Sequence, residues 1–141
     1  MFQESYIECK VKKGITAAKG FKSVGIHCGV KRVKKDLALI VSDVPATAAG
    51  VFTLNKVQAA PVLVCKEHLM NNNSFRAIVC NSGNANACTG EKGYNDAVTM
   101  ANETASVLGI SPQDVFVSST GVIGEKLPIE KIVNGIKRAA S

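Results

Sequence analysis

The second half of the chain carries the same plan twice: a short apolar strand, a glycine-rich loop, then a helix. The first copy is "AIVC-NSGNANACTGEKG-YNDA" and the second is "VFVS-STGVIGEKL-PIEK". Apolar runs that end in glycine and give way to helical periodicity read as buried strands crossing over into helices, which commits the chain to a sheet covered by helices. Hydrophobic residues make up 46% of the 141, yet aromatics only 5% and Trp is absent. The core is therefore to be built from Val, Ile, Leu and Ala. A chain of this length suits one domain over residues 1–141 and buries about 70% of the surface its unfolded form exposes.

"FKSVGIHCGV" (21–30) and "DLALIVSDV" (36–44) flank the basic run "KRVKK" and read as an antiparallel strand pair. After the break at Pro45, "AAGVFTLNKVQ" (48–58) reads as a third strand. Pro61 takes a first helical position in a helix to Asn72, with Val62, Cys65 and Leu69 on one face. A strand over 75–80 follows, then a helix over 94–109 with Ala97, Met100, Ala101, Thr104, Val107 and Leu108 at helical spacing and Gly109 at its C′ position. The next strand covers 114–119 and runs into a glycine-containing turn. Pro128 opens the last helix, in which Ile129, Ile132, Val133 and Ile136 share a face. The class is α/β (α+β), with more antiparallel pairing than a nucleotide-binding fold.

Several functions are disfavoured at once. No apolar run approaches the roughly 18 residues of a membrane span, and "MFQESYIECK" has no apolar h-region, so the chain reads as soluble and cytoplasmic. The net charge is +6, but its densest run, "KRVKK", has no aromatic residues interleaved for base stacking. It reads as a solvated turn, and no nucleic-acid partner is expected. The five cysteines (Cys9, Cys28, Cys65, Cys80, Cys88) form no C-x-x-C pair, and His27 and Cys28 are adjacent, pointing to opposite faces of a strand. No metal site is expected. The thiols read as reduced and non-catalytic, with Cys88 the most reactive because it sits in a loop. His68 reads as a surface helix residue.

The stretch "NSGNANACTG" (81–90) is built almost wholly from small and amide side chains. That suits a tightly bent loop held close to another backbone, its Asn amides pairing the groups a bend leaves free. Neither glycine loop fits G-x-G-x-x-G or the P-loop lysine pattern. No nucleophile–base pair is visible: His27 and His68 fall in strand and helix interiors, and Ser118, Ser119 and Thr120 lack a base. The second loop does offer an electrophilic site, a Thr hydroxyl followed by a Gly N–H with no Cβ to obstruct a close ligand. On chemistry alone this is half of an acyl-transfer site whose nucleophile lies elsewhere. The same two loops also suit a non-catalytic amino-acid- or anion-binding module.

Three stretches in order, "KDLALIVSDVPATAAGVFTLNKVQAAPV", "NSGNANACTGEKG" and "SSTGVIGEKLP", resemble the amino-terminal part of the ornithine acetyltransferase family, the bifunctional glutamate N-acetyltransferases of arginine biosynthesis. The likeness runs from about Gly20 to the last helix. It implies a precursor that cleaves itself before a threonine, which then carries acetyl from N-acetylornithine to glutamate as an ester. Thr120 and Gly121 match the family's oxyanion-hole pair. Asn81 and Asn84 stand as scaffold residues or direct substrate contacts. No cofactor is implied, although some members also accept acetyl-coenzyme A. The implied fold is an αββα-type sandwich completed by a second chain, the beta chain of the same precursor, in an α2β2 heterotetramer. The sequence stops at "GIKRAAS", before the segment where the family carries its cleavage site. These residues are therefore not expected to complete the reaction alone. The self-cleaving scheme implied by the resemblance is also shared by an alternative reading, an N-terminal-nucleophile peptidase-like hydrolase with water in place of glutamate as acceptor.

Overall fold

The computed structural model describes residues 14–141. After a single 3-10 turn, β1 (Phe21–Ile26) and β2 (Leu37–Ala46) lead to α1 (Ala60–Asn71). Then come β3 (Phe75–Asn84), α2 (Gly90–Leu108), β4 (Val115–Val122) and α3 (Ile129–Ala140). The four strands form one sheet in the order β1-β2-β3-β4. β1, β2 and β3 pair antiparallel, while β3 and β4 pair parallel. The α2 crossover between β3 and β4 is what a parallel pair requires. The mixed α/β class read from the sequence holds.

Strand alternation decides where the core sits. Leu37 and Leu39, Ala77 and Val79, and Val115 and Val117 face one side, and all are buried. The helices cover that side: Ala60, Val64 and Cys65 from α1, Ala97, Met100, Ala101 and Ala105 from α2, and Ile132 and Ile136 from α3 join the same core. The alternate residues Ala38 and Ile40, Ile78 and Cys80, and Phe116 and Ser118 line the other face, and all of these are half-buried or exposed. Helix α2 ends as its sequence indicates, with Gly109 left-handed (φ 65) and its N–H donating to the Ala105 carbonyl.

Four expectations need correction. No third strand forms over 48–58. Both ladder edges of β2 are already taken, and the segment satisfies its own backbone: the Asn55 N–H donates to Thr53 Oγ1 (3.1 Å) and the Val57 N–H to Asn55 Oδ1 (2.9 Å). β2 runs through Pro45 to Ala46, because its pairing with β3 lapses after Val41 and leaves a bulge that tolerates proline. Helix α2 starts at Gly90 rather than Tyr94, so "GEKG" is its first turn. The core face of α1 is Ala60, Pro61, Val64 and Cys65, with Val62 and Leu69 only half-buried.

Candidate functional site

Where β3 and β4 end, the two glycine-rich stretches run side by side. The register pairs Asn81 with Ser119, Ser82 with Thr120 and Gly83 with Gly121, then shifts at Asn84. Thr120 and Gly121 therefore lie on a strand and not in a turn, a further correction. Small polar residues continue the ladder past the apolar run. Gly121 has φ +136, and a Cβ built on it would stand 2.3 Å from the Gly83 carbonyl carbon and 2.5 Å from the Asn84 nitrogen. Only glycine allows that approach of backbone to backbone. Gly83 is itself pressed, at φ +111, under Val30 and Lys31 of the β1–β2 loop. The bent stretch is held against other backbone, as its composition indicates.

The three asparagines pair the bend internally, and all are buried. Asn81 Nδ2 donates to the Asn84 carbonyl (2.9 Å), and its Oδ1 accepts from Ser119 Oγ (2.6 Å). Asn84 Nδ2 donates to the carbonyls of Glu125 (3.2 Å) and Lys126 (3.1 Å), and its Oδ1 accepts the Asn86 N–H (2.8 Å). Asn86, left-handed at φ 46, donates through Nδ2 to the Gly93 carbonyl (2.8 Å) and accepts from Thr89 Oγ1 (2.8 Å). These amides tie β3, β4 and the first turn of α2 into one unit.

Thr120 is exposed on the sheet face opposite the helices, in a groove of about 380 Å³ that Lys35, Cys80, Ser82 and Ser118 also line. Asp36, at the same groove, is buried within the β1–β2 loop. Its carboxylate accepts the N–H groups of Cys28 (2.6 Å), Gly29 (3.1 Å) and Lys31 (2.8 Å). Burial alone would raise its pKa, but the Cys28 and Lys31 amides outweigh that and hold it at about 2, against an ordinary 3.8. The basic run thus wraps an anion of its own chain, with Arg32, Val33, Lys34 and Lys35 exposed.

His27 is not in a strand interior: it stands one residue beyond β1, with Nδ1 at 3.2 Å from Asp36 Oδ2 and 3.1 Å from the Lys34 carbonyl. His68 is half-buried on α1, its Nδ1 at 2.9 Å from the carbonyl of Val115 at the far end of β4. Neither has a serine or threonine hydroxyl among these partners. Four cysteines are free among the described residues, and Cys9 lies outside them. Burial and Asp36 push the Cys28 thiol up to about 11, and burial also raises Cys65 and Cys80. Cys88 is exposed in the loop. Among the described residues no group of His, Cys, Asp and Glu is placed to hold a metal ion, and no helix is long and apolar enough to cross a membrane.

The contributions of Ser119, Asn86 and Asp36 escape sequence reasoning. One signal was available for the strand ends: both strands place a glycine directly after two small polar residues, Ser82 with Asn81 and Thr120 with Ser119.

Fold and site together define a mixed α/β layer whose parallel strand ends present a Thr-Gly pair on an uncovered sheet face. The ArgJ family pattern matches residues 22–141, and the chain belongs to the ArgJ family. It is 51% identical over 129 residues to the arginine biosynthesis bifunctional protein ArgJ of Shouchella clausii, covering 91% of this chain and 32% of that protein. It is 49% identical over 128 residues to the ArgJ of Bacillus subtilis, with the same coverage of each. The chain thus spans about a third of the length of these curated relatives. Among solved structures, the ArgJ of Bacillus halodurans superposes with a TM-score of 0.86 at 52% identity, over 90% of this chain and 68% of that one. The ornithine acetyltransferase of Mycobacterium tuberculosis complexed with ornithine also gives 0.86, at 40% identity over 90% and 69%. The family read from three sequence stretches is the family found.

Proposed function

We propose that this chain is the oxyanion-hole half of a cytoplasmic ornithine acetyltransferase, moving acetyl from N-acetylornithine to glutamate. The nucleophile is a threonine freed by self-cleavage at the start of a second chain of the same precursor. That chain packs on the uncovered sheet face and completes an αββα sandwich in an α2β2 assembly. The threonine attacks the acetyl carbonyl, ornithine leaves as the free amine, and glutamate's amine then takes acetyl from the threonine ester. At each attack the carbonyl oxygen becomes negative. The Thr120 hydroxyl and Gly121 N–H donate to it, fixed beforehand so that no reorganisation is needed as charge develops. Asn81 and Asn84 serve as scaffold, since their amides are occupied within the bend. The exchange calls for no resident cofactor.

The observation that carries this reading is an exposed Thr120 followed by a glycine locked against the Gly83 backbone. The deciding measurement is steady-state kinetics of Thr120→Val in the fully processed two-chain enzyme. The substitution keeps side-chain shape and deletes one donor, so turnover should fall about 10²–10³-fold with little change in KM. A gel must first show that cleavage is complete. Normal turnover in that variant would remove Thr120 from the mechanism and leave a binding module as the better account.

A further inference from the structure

Where β4 last lies against β3, one buried amide adds a side-chain clasp to the backbone ladder. Ser119 Oγ donates to Asn81 Oδ1 at 2.6 Å, and Nδ2 of the same side chain donates to the Asn84 carbonyl at 2.9 Å. Asn81 thereby spans the register shift at Gly83 and Asn84, gripping β4 before it and β3 after it. Alternation turns Asn81 and Ser119 towards the helix-covered side, with Val79 and Val117, and turns Thr120 to the opposite side. Among the described residues β4 is an edge strand, with no strand neighbour on its outer side. Gly121, at φ +136, packs its backbone directly against that of Gly83, so the rotation of β4 at Ser119 carries through to it.

We propose that Ser119 and Asn81 are positioning residues that set the rotation of β4 one residue before Thr120 and so aim the Thr120 hydroxyl and Gly121 N–H. This rests on the oxyanion-hole reading of those two groups. The effect arises because donors of this kind act only when already in place, and a displacement of about 1 Å at a reacting centre can cost about 100-fold in rate. Ser119→Ala deletes one end of the clasp and leaves the fold's apolar core intact.

The test is a double-mutant cycle in the processed two-chain enzyme. Ser119→Ala should lower kcat about tenfold with KM unchanged, and Ser119→Thr, which keeps a hydroxyl, should restore most of it. In the Thr120→Val background, Ser119→Ala should cost clearly less, because one of the two donors it aims is already gone and only the Gly121 N–H remains. Equal losses in both backgrounds, or a rise in KM alone, would overturn the positioning role while leaving the oxyanion hole standing. Normal turnover of Thr120→Val by itself would overturn the hole and the clasp together. Should Ser119→Ala fail to assemble, Ser119→Cys carries the same comparisons with a weaker donor of similar size.

Discussion

Asp36 shows how one side chain can organise a loop that looks, by charge, like a binding patch. Its carboxylate is fully ionised at neutral pH and takes three backbone N–H groups from the loop before it. The folded-state pKa of about 2 lies below the ordinary 3.8, so the stabilisation is present above the unfolded value and is lost as pH falls through the folded one. Asp36→Asn should therefore lower the urea midpoint at neutral pH, and the gap from the parent should narrow as pH drops from above 3.8 towards 2. A gap independent of pH would assign the effect to packing and not to charge. None of this was legible in "KRVKKD", where the acidic residue reads merely as the end of a basic run. Thr120 and Gly121 stood out in the sequence as a Thr hydroxyl followed by a Gly N–H. Their support by Ser119 and Asn81 did not, because it depends on a parallel register that no local pattern reveals.

Elements were most legible where periodicity is strong and least where small residues dominate. All three helices and four strands lie where apolar spacing puts them, but β3 and β4 each extend past their apolar runs into the glycine stretches. Ser, Thr and Asn can continue a ladder when a neighbouring strand supplies partners, and hydropathy alone is blind to that. The failed third strand is the reverse case: side chains of the segment itself take the N–H groups of Asn55 and Val57, and no ladder forms. Packing of α3 gives a sharper instance. A Cβ on Gly135 would come within 2.5 Å of Cys28 Cβ and 2.8 Å of Leu37 Cδ2. Helix propensity favours Gly135→Ala by about 0.5–1 kcal/mol, yet overpacking of this kind costs about 1–3 kcal/mol. The variant should be less stable than the parent in urea denaturation. A raised midpoint would mean that α3 moves freely over the β1–β2 loop, despite the bonds from Lys131 to the Gly29 carbonyl and from Arg138 to the His27 carbonyl.

Taken whole, the molecule has one covered face and one that is not. The helices hide Leu39, Val79 and Val117, while Ile78 on the other side remains 37% exposed and Phe116 half-buried. The segment between β2 and α1 adds Val51 and Leu54, exposed at 100% and 98%. Scattered apolar residues on a surface are ordinary, but an apolar sheet face beside an apolar loop marks a surface that another layer covers. In the proposed assembly that layer is the second chain, which brings the nucleophile to the Thr120 side of the sheet. The 141 residues alone should therefore bind a hydrophobic dye and self-associate in sedimentation. Co-expression with the rest of the precursor should abolish both. Hydrogen exchange should then slow over 49–58 and along the ends of β3 and β4, while α2, already buried against the sheet, changes little. A lone chain that sediments as a monomer, melts cooperatively and ignores the dye would show that this face needs no partner, and the placement of the nucleophile chain across it would have to be abandoned.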